Sequence, residues 1–447
     1  MKTTPVILAA GKGTRMKSAK PKVLHPILGQ PMGWYAIQAA YEATGSKPVV
    51  VVGHQSEEVK AGLGDAANYV LQDPQLGTGH AVQQAEALLH NETDLVLVTY
   101  ADMPLLSADT LKRLVAAQGA HDGPITMLSV VAEAPRGFGR VLRDEGGEIQ
   151  AIIEEHHATP KQLEIRELNT GVYCFSAGWL WDALRRVELS PKGEYYLTDL
   201  VSIAVSEGLS VQGLAVDEPG EMIGVNTRVH LAEASAKMGQ RINHRLMLAG
   251  VTMIDPATTY IEPTVTIGRD TVIWPNTFLR GDSQVGEDCS LGPNTVIQDT
   301  QLGHRVKVMA SVLEYAIVED DVDIGPFGHL RKGAHLAQGV HMGNFGEVKN
   351  SYLGPGTKMG HFSYLGDATV GPNVNIGAGT ITCNYDGERK QPTEIEADVF
   401  IGSDTMLIAP VKLGEGARTG AGSVVNKDVP PKTLVVGIPA RAIRKLT

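Results

Sequence analysis

Few cysteines and no long apolar run occur in this sequence. Its three cysteines, Cys174, Cys289 and Cys383, lie far apart, form no CxxC pair and leave one over, so the sequence indicates neither a disulfide framework nor a zinc site. The early apolar run at residues 6–10 is too short for a signal-peptide core or a membrane span. We therefore expect a cytoplasmic protein whose thiols stay reduced.

Positive charge is scarce as well. Lys and Arg number 39 against 50 Asp and Glu, which gives a net charge of −11. Nucleic acids and anionic membrane surfaces both require broad positive potential on a protein, so we expect neither as a partner. An anionic small molecule would have to meet a few local basic side chains instead.

The second half of the chain carries a six-residue repeat. The length of 447 residues already favours two domains, because single cores stop growing at about 250–300 residues. From position 261 to 297 an aliphatic side chain stands at every sixth position, and a small or β-branched residue stands four positions after each of the first six. The aliphatic residues are Ile261, Ile267, Ile273, Leu279, Val285, Leu291 and Ile297; the others are Val265, Thr271, Thr277, Ser283, Cys289 and Thr295.

Neither a 3.6-residue helix nor an alternating strand has a period of six. Short strands joined by turns do have it, and this spacing is typical of a parallel β-helix of hexapeptide repeats. A β-rich domain with chance spacing is the alternative, which the number of matches disfavours. The register breaks by one residue at Leu302 and resumes at Val318, Ile324, Leu330, Leu336 and Met342, and again at Ile395, Ile401, Leu407, Leu413, Thr419 and Val425.

The first half alternates apolar strands with helical patterns, which predicts an α/β domain with a mostly parallel sheet. The predicted strands are residues 6–8, 49–52, 95–98 and 125–130, with helices at 81–89 and 110–118. A glycine-rich loop follows the first strand, where Gly11 and Gly13 allow backbone N–H groups to approach a ligand. Because Met16 replaces the third glycine of a dinucleotide fingerprint, an ordinary strand-to-helix turn is the alternative.

Ligands of such sheets bind beyond the carboxyl ends of the strands. Asp102 follows the strand at 95–98, where a carboxylate can hold Mg²⁺ against substrate phosphates; a helix N-cap is the alternative. Gln72 and the loop at 77–80 come before a predicted helix. They are candidates to bind a base or phosphate, or to cap that helix.

Motifs from both halves together resemble a known enzyme family. The motifs are LAAGKGTRM at 8–16, PKVL at 21–24, QLGTGHA at 75–81, NTG at 169–171, GEYYLTD at 193–199 and GHFSYLGD at 360–367. The first five are similar to those of the sugar-nucleotide pyrophosphorylases. With the hexad repeat, essentially the whole chain resembles the bifunctional bacterial N-acetylglucosamine-1-phosphate uridyltransferases and glucosamine-1-phosphate acetyltransferases.

The resemblance implies a Rossmann-like nucleotidyltransferase domain followed by a left-handed parallel β-helix. The implied domains are residues 1–225 and the β-helix at 251–447. Between them, apolar or small residues spaced among charged ones predict a linker helix at 226–250 that ends at Gly250. The resemblance also implies a homotrimer, Mg²⁺ as cofactor, and UTP, N-acetylglucosamine 1-phosphate, glucosamine 1-phosphate and acetyl-CoA as substrates.

For the first domain, the resemblance assigns residues to three groups. The implied nucleotide- and sugar-binding residues are Leu8, Ala9, Gly11, Lys22, Gln72, Gly77, Thr78, Tyr100, Gly139, Glu154, Asn169 and Asn226; the implied catalytic pair on the phosphates is Arg15 and Lys22; the implied metal ligands are Asp102 and Asn226. No protein nucleophile is needed, because the attacking sugar phosphate is already an anion. Ala101 departs from the family's usual glycine, and its methyl group is expected to crowd the nucleotide or sugar without removing the metal.

For the β-helix, the resemblance makes His361 the base that deprotonates the acceptor amine, although a lone histidine is more often structural. The polar stretch at 383–392 is predicted to leave the coil as a loop. The implied sugar-phosphate ligands are Arg331, Lys349, Tyr364, Asn375 and Lys390, and the implied acetyl-CoA ligands are Ala378, Asn384, Tyr385, Ser403, Ala421 and Arg441.

Two further features of the β-helix bear on its function. Arg441, Arg444 and Lys445 are predicted to hang as a basic tail beside the CoA of a neighbouring subunit of the trimer, and a solvated tail is the alternative. Four residues around Arg331 and Glu347 depart from the family's commoner pattern, which puts the packing of the local loop in doubt: Gly328, His329, Lys332 and Gly346.

Two rival functions remain open for the whole chain. One is a nucleotidyltransferase whose β-helix only regulates or oligomerises, and the other is a non-catalytic sugar-nucleotide sensor.

Overall fold

The computed structural model of the protein describes residues 1–132 and 137–445, which form two compact units, Met1–Met238 and Gly239–Thr447. Within the first unit the strands are β1 Thr3–Leu8, β2 Pro26–Ile27, β3 Gln30–Pro31, β4 Val49–Val52, β5 Asn68–Leu71, β6 Leu95–Tyr100, β7 Ile125–Val131, β8 Gly139–Arg143, β9 Ile149–Ile153, β10 Glu167–Ser176 and β11 Val211–Ala215. The helices are α1 Met32–Thr44, α2 Ser56–Leu63, α3 Thr78–Gln83, α4 Glu86–Leu89, α5 Ala108–Ala120, α6 Pro160–Leu163, α7 Ala177–Leu184, α8 Asp199–Ser206 and α9 Arg228–Leu248.

The main sheet has the order β11-β7-β10-β6-β1-β4-β5, and all four predicted strands belong to it. Only β10 runs antiparallel along this path, and the pair β8 and β9 extends from it. Successive residues of β1 point to opposite faces, with Val6 in one buried cluster and Ile7 in the other. Both faces are therefore covered, as the apolar run predicts for a parallel sheet.

The helix predicted at 81–89 is divided into α3 and α4. The backbone N–H of Ala85 bonds to the carbonyl of Val82, three residues back, which tightens the chain between the two helices. The single predicted helix was therefore wrong in its continuity, although both pieces are helical.

The second unit is a left-handed parallel β-helix with three sheets, here called S1, S2 and S3. Sheet S1 contains Thr252–Met253, Val272–Ile273, Ser290–Leu291, Lys307–Val308, Asp323–Ile324, His341–Met342, Lys358–Met359, Asn375–Ile376, Phe400–Ile401, Arg418–Thr419, Thr433–Val436 and Arg441–Lys445. Sheet S2 contains Thr259–Ile261, Thr277–Arg280, Thr295–Gln298, Val312–Glu314, His329–Leu330, Gly346–Lys349, Ser363–Gly366, Ile381–Cys383, Met406–Ile408 and Val424–Val425. Sheet S3 contains Thr266–Ile267, Gln284–Val285, Gln301–Leu302, Ile317–Val318, His335–Leu336, Tyr352–Leu353, Ala368–Val370, Thr393–Ile395 and Val411–Leu413.

The hexad residues form the interior of this β-helix. All of the predicted aliphatic positions are buried except Ile267, which is half-buried. Ile267 lies on the first strand of S3 and therefore has a neighbouring strand on one side only. At the predicted register break Val285 pairs with Leu302, 17 positions later, so that one coil is a residue short and the stack continues.

Three other features of the second half bear on the predictions. The division between the two units falls after Met238, within helix α9. The structure therefore does not set off residues 226–250 as a separate part, and these boundaries of the linker helix stay a prediction. Ala368 pairs with Thr393, 25 positions later, so the polar stretch does leave the coil as a loop. Arg441–Lys445 pairs antiparallel with Thr433–Val436, so the prediction of a hanging basic tail was wrong.

Candidate active sites

The loop after β1 approaches the segment that carries Lys22. Gly13 has φ +60°, and a Cβ there would lie 2.7 Å from Cβ of Lys22, so both the backbone conformation and the close contact require glycine. The chain then forms a 3₁₀ turn at Thr14–Met16, with the side chain of Arg15 exposed. Gly11 is exposed with no atom within 4 Å of an added Cβ, which leaves its backbone accessible to a ligand.

Lys22, Asp102 and Asn226 converge at the carboxyl-end side of the sheet. The Lys22 ammonium donates to Oδ2 of Asp102 and to Oδ1 of Asn226, the latter at 3.1 Å. The side chains of Lys22 and Asp102 are only 14% and 18% exposed. A backbone bond of 2.8 Å from Val225 N–H to the Asp102 carbonyl holds the Asn226 segment beside β6. We call these three side chains the cation junction.

The cation junction fits a magnesium ion. Its carboxylate and amide oxygens both lie within bonding distance of one cationic group, the Lys22 ammonium, and are therefore close enough to share a single metal ion. Mg²⁺ is usually held by one or two protein oxygens together with substrate phosphates and water. Across residues 1–132 and 137–445 no cluster of three or more His, Cys, Asp or Glu side chains is arranged to hold a metal.

The alternative role of Asp102 as a helix N-cap was wrong. Helix α5 begins at Ala108, and its cap is Ser107, whose Oγ accepts from the backbone N–H of Thr110 at 3.1 Å. Ala101, next to Asp102, is 1% exposed and packs in the hydrophobic core. Its methyl group contacts apolar side chains of this core, and crowding of the nucleotide or sugar by it stays a prediction.

Gln72 follows β5 and is held in one orientation by its own loop. Its side-chain amide donates to the Gly77 carbonyl at 2.9 Å and contacts His80 Nδ1 at 3.1 Å. Because an amide N–H can only donate, Nδ1 of His80 acts as an acceptor here. Thr78 begins α3, and its Oγ accepts from the Leu197 N–H at 3.0 Å, so this loop both starts a helix and fixes a neighbouring segment.

Asn169 lies at an irregularity in β10, where the pairing with β7 shifts register. Its Oδ1 accepts from the Gly171 N–H at 3.1 Å and from the Tyr173 hydroxyl at 3.0 Å. Gly171 has φ +82°, and a Cβ there would lie 2.7 Å from the ring of Tyr100. Burial raises the pKa of Tyr100, so its hydroxyl stays protonated and can donate.

Glu154 and Asp199 place two carboxylates close together near Asn169. Glu154 Oε1 accepts from the Thr198 hydroxyl at 3.3 Å. Burial raises the pKa of Asp199, and the charge of Glu154 acts in the same direction. Gly139 on β8 is buried, and an added Cβ would lie 3.1 Å from atoms of β9, so a larger side chain would displace that strand. Leu8 and Ala9 are also buried, at the end of β1.

In the β-helix, three basic residues on and beside S2 form a cluster. Arg331 donates to Oε1 of Glu347 at 2.9 Å, and this hydrogen bond raises the pKa of Arg331. The contact with Lys390 lowers the pKa of Lys349, because two neighbouring ammonium groups repel each other. Lys390 itself lies 4.0 Å from Oδ2 of Asp367. The three cationic side chains outnumber the two carboxylates that they contact, and this excess of positive charge favours an anionic ligand.

Asp367 connects this cluster to the predicted loop, a role that the sequence did not indicate. Its carboxylate accepts from Asn350 at 2.6 Å and from Asn384 at 2.5 Å. Asn384 is 7% exposed, so it anchors the loop instead of projecting from it. Tyr364 lies directly over Gly366, where an added Cβ would be 2.3 Å from the Tyr364 hydroxyl oxygen.

His361, Ala378, Ser403 and Ala421 occupy the same corner of four successive coils, between a strand of S1 and a strand of S2. Backbone hydrogen bonds of 2.7, 2.6 and 2.8 Å join each of these corners to the next. His361 is exposed and lies two residues before the strand that carries Tyr364. The structure therefore brings the predicted base and three predicted acetyl-CoA ligands into one column, here called the corner column.

The remaining predicted ligands of the β-helix lie elsewhere on its surface. Asn375 belongs to S1 and not to the sheet that carries the basic cluster. Tyr385 is 62% exposed on the loop, with its hydroxyl bonded to the Gly387 carbonyl at 2.6 Å. Arg441 lies on the terminal strand, where its side chain is exposed.

The departures near Arg331 have partners within the coil. His329 contacts Glu314 at 3.3 Å, and the Lys332 ammonium lies 6.0 Å from the centre of the Tyr315 ring. Gly328 N–H donates to Ser311 at 3.0 Å. A Cβ at Gly346 would lie 2.9 Å from a methionine methyl group, so this glycine makes room for a buried side chain. Each of these four residues is therefore accommodated in the regular packing of the β-helix.

Comparison with known proteins agrees with this division into two units. Residues 5–194 match the MobA-like NTP transferase domain, and residues 264–299 and 392–427 match the bacterial transferase hexapeptide (six repeats). A bifunctional protein GlmU from Heliobacterium modesticaldum is 46% identical over 97% of this chain and 95% of its own length. Those from Syntrophomonas wolfei and a Geobacillus species are 46% and 45% identical over 98% and 100% of this chain, and 97% of each relative is covered.

No helix within the described ranges combines the length and the apolar character needed to cross a membrane.

Proposed function

This chain belongs to the family of bifunctional GlmU proteins, and on that premise we propose which residues perform each of its two reactions. It is an enzyme that transfers an acetyl group from acetyl-CoA to glucosamine 1-phosphate, and a uridylyl group from UTP to N-acetylglucosamine 1-phosphate. The observation that carries the assignment of residues is the presence of two separate charged sites, the cation junction in the first unit and the basic cluster in the second.

Uridylyl transfer takes place at the cation junction. Gln72, Gly77 and Thr78 hold the uridine with Leu8, Ala9 and Gly11, while Arg15 and Lys22 contact the phosphates. Gly139, Glu154 and Asn169 hold the acetylated sugar together with Tyr100. The sugar phosphate attacks the α-phosphorus in line and pyrophosphate leaves, so these residues have to orient two polyanions and balance their charge.

Asp102 and Asn226 hold Mg²⁺ in this assignment. When bound, the ion neutralises charge on the phosphate oxygens as it builds up in the transition state. The Lys22 ammonium lies beside both of these side chains, where it would contact a phosphate oxygen.

Acetyl transfer takes place beside the corner column. Arg331, Lys349, Tyr364, Asn375 and Lys390 hold glucosamine 1-phosphate. His361 removes a proton from its ammonium group so that the free amine can attack the thioester carbonyl. Ala378, Ser403 and Ala421 line the acetyl-CoA cleft, where small side chains leave room for the pantetheine chain, and Asn384, Tyr385 and Arg441 lie along the rest of it.

The active enzyme is a homotrimer in this proposal, with domains at 1–225 and 251–447 and a linker helix at 226–250. Exposed aromatic residues on the β-helix support assembly, since Phe327 and Phe345 stack at 5.1 Å while being 57% and 58% exposed. We place the protein in the cytoplasm, where its three free cysteines stay reduced.

Both half-reactions should be measured separately on one preparation of the full chain. We expect Mg²⁺-dependent release of pyrophosphate and, independently, release of CoA from acetyl-CoA in the presence of glucosamine 1-phosphate. Pyrophosphate release without CoA release would favour the rival in which the β-helix only regulates or oligomerises. Absence of both activities would favour the sensor.

Replacing Arg15 by alanine should slow uridylyl transfer by about 10²–10³-fold in kcat, the usual effect of removing one donor that stabilises transition-state charge. Acetyl transfer should be unchanged. Arg113→Ala is the matched control, because Arg113 is an arginine of the same unit that pairs with Asp217 away from the site. Equal losses in both variants would contradict the role of Arg15.

Replacing Arg441, Arg444 and Lys445 together by alanine should raise the KM for acetyl-CoA roughly two- to fivefold, as expected for exposed ion pairs worth up to about 1 kcal/mol. These substitutions keep the terminal strand, whereas a truncation after Pro439 would remove it. Because salt screens exposed charges, the effect should shrink at high ionic strength. An unchanged KM at low salt would show that this strand does not contact CoA.

A further inference from the structure

His25 and Arg228 form a hydrogen bond that joins the two sides of the cation junction. Nη1 of Arg228 lies 3.1 Å from Nδ1 of His25, although the residues are 203 positions apart. His25 is only 3% exposed, whereas Arg228 lies on the exposed first turn of α9. Neither residue belongs to the motifs of the sequence, and nothing in their spacing indicates that they meet.

The chemistry of this pair fixes the state of the histidine. A guanidinium group can only donate, so Nδ1 of His25 has to accept and its proton resides on Nε2. Burial lowers the pKa of His25 below its usual 6.5, and the charges of Arg228 and Lys20 act in the same direction. His25 is therefore a neutral acceptor at neutral pH.

Each partner lies within three residues, along the chain, of a member of the cation junction. The His25 N–H donates to the Lys22 carbonyl at 3.2 Å and so closes the 3₁₀ turn Lys22–Leu24. Arg228 stands two residues after Asn226, at the point where α9 begins. A closed ring of contacts results: Lys22 bonds to Asn226, the chain leads through Thr227 to Arg228, Arg228 bonds to His25, and the 3₁₀ turn leads back to Lys22.

We propose that the His25–Arg228 hydrogen bond is a positioning pair for uridylyl transfer, which holds the Asn226 amide oxygen and the Lys22 ammonium at the spacing needed for the metal and the phosphate. This inference rests on the assignment of Asp102 and Asn226 as metal ligands. The pair does not touch substrate. It acts by restricting two segments that lie 203 positions apart in the chain, as residues behind a ligand commonly do.

The test measures metal binding directly, with Mn²⁺ as a paramagnetic substitute for Mg²⁺, on the full-length protein in the presence of UTP. Arg228→Ala and His25→Ala should each weaken Mn²⁺ binding by about 10–100-fold, the usual effect of losing a residue that orients a metal ligand. His25→Asn, whose side-chain oxygen can replace Nδ1 as acceptor, should restore binding to within about threefold of the parent. The double variant His25→Ala, Arg228→Ala should be no weaker than either single variant, because both changes remove the same bond.

Controls separate positioning from a merely structural role. Acetyl transfer and the thermal midpoint are measured on every variant, and Arg228→Ala is informative even if His25→Ala does not fold, because Arg228 is exposed. Unchanged Mn²⁺ binding by Arg228→Ala, or a His25→Asn variant as weak as His25→Ala, would overturn the proposal. If Asp102→Ala also binds Mn²⁺ like the parent, the metal assignment itself fails and the positioning pair with it; if only Asp102→Ala loses binding, the assignment stands and the pair is rejected.

Discussion

Asp102→Ala is expected to abolish Mg²⁺-dependent formation of UDP-N-acetylglucosamine while acetyl transfer stays near the parent rate. A metal ion contributes several kcal/mol of charge stabilisation in such reactions, so the loss should be roughly 10²-fold or more. The effect should be confined to one reaction because Asp102 lies within the first unit. The measurement is the rate of pyrophosphate release at saturating Mg²⁺, with CoA release as the internal reference.

Two further variants make this result specific. Asp102→Asn keeps the size of the side chain but removes its charge, and should be impaired nearly as strongly. Asp109→Ala is the matched control, since Asp109 is 89% exposed on α5 and pairs with surface Lys112. All three should keep the oligomeric state of the parent protein by light scattering. An Asp102→Ala protein that retained more than a small fraction of uridylyl transfer would remove Asp102 from the metal site.

His361→Ala should lose acetyl transfer by about 10²–10⁴-fold, the range typical for removal of a general base, with uridylyl transfer unchanged. The physical reason is that the acceptor amine is mostly protonated at neutral pH and has no nucleophilic lone pair until a base takes the proton. The exposed position of His361 in the corner column leaves its imidazole accessible to a ligand. Steady-state CoA release over a range of glucosamine 1-phosphate concentrations would measure the effect as a change in kcat.

The competing structural role of His361 predicts a different pattern. If the imidazole packs as part of the coil, its removal should lower the thermal midpoint and reduce both activities together. His335→Ala is a suitable control, because His335 is a histidine of the same β-helix that bonds to Glu319 at 2.8 Å on another sheet. Similar losses of acetyl transfer in His361→Ala and His335→Ala would show that the loss is not specific to His361.

The fold was largely predictable because its information is local. A hexad repeats the same short strand and turn, and each coil packs only on its neighbours, so spacing alone identified the buried residues of the second unit. The strands of the first unit were predictable from apolar runs such as β4. What spacing did not indicate was the sheet order, the antiparallel insertion of β10 or the division between α3 and α4, since those depend on tertiary contacts.

The cation junction was predictable only through the resemblance to known enzymes. Asp102 could be selected because it follows a strand. Lys22, however, lies 80 positions from Asp102 and 204 positions from Asn226 in the chain. No periodic pattern relates residues at that distance. The same reason explains why His25, Arg228 and Asp367 were missed, since each acts through a contact that exists only after folding.

The terminal strand Arg441–Lys445 also affects how copies of this protein behave at high concentration. A parallel β-helix ends in open strand edges, which can recruit another chain and grow into fibres. Here the last strand of S1 turns back antiparallel and carries exposed Arg and Lys side chains along that edge. A second molecule approaching this end therefore meets a reversed hydrogen-bonding pattern and a row of charged side chains, which opposes filament growth at this end of S1.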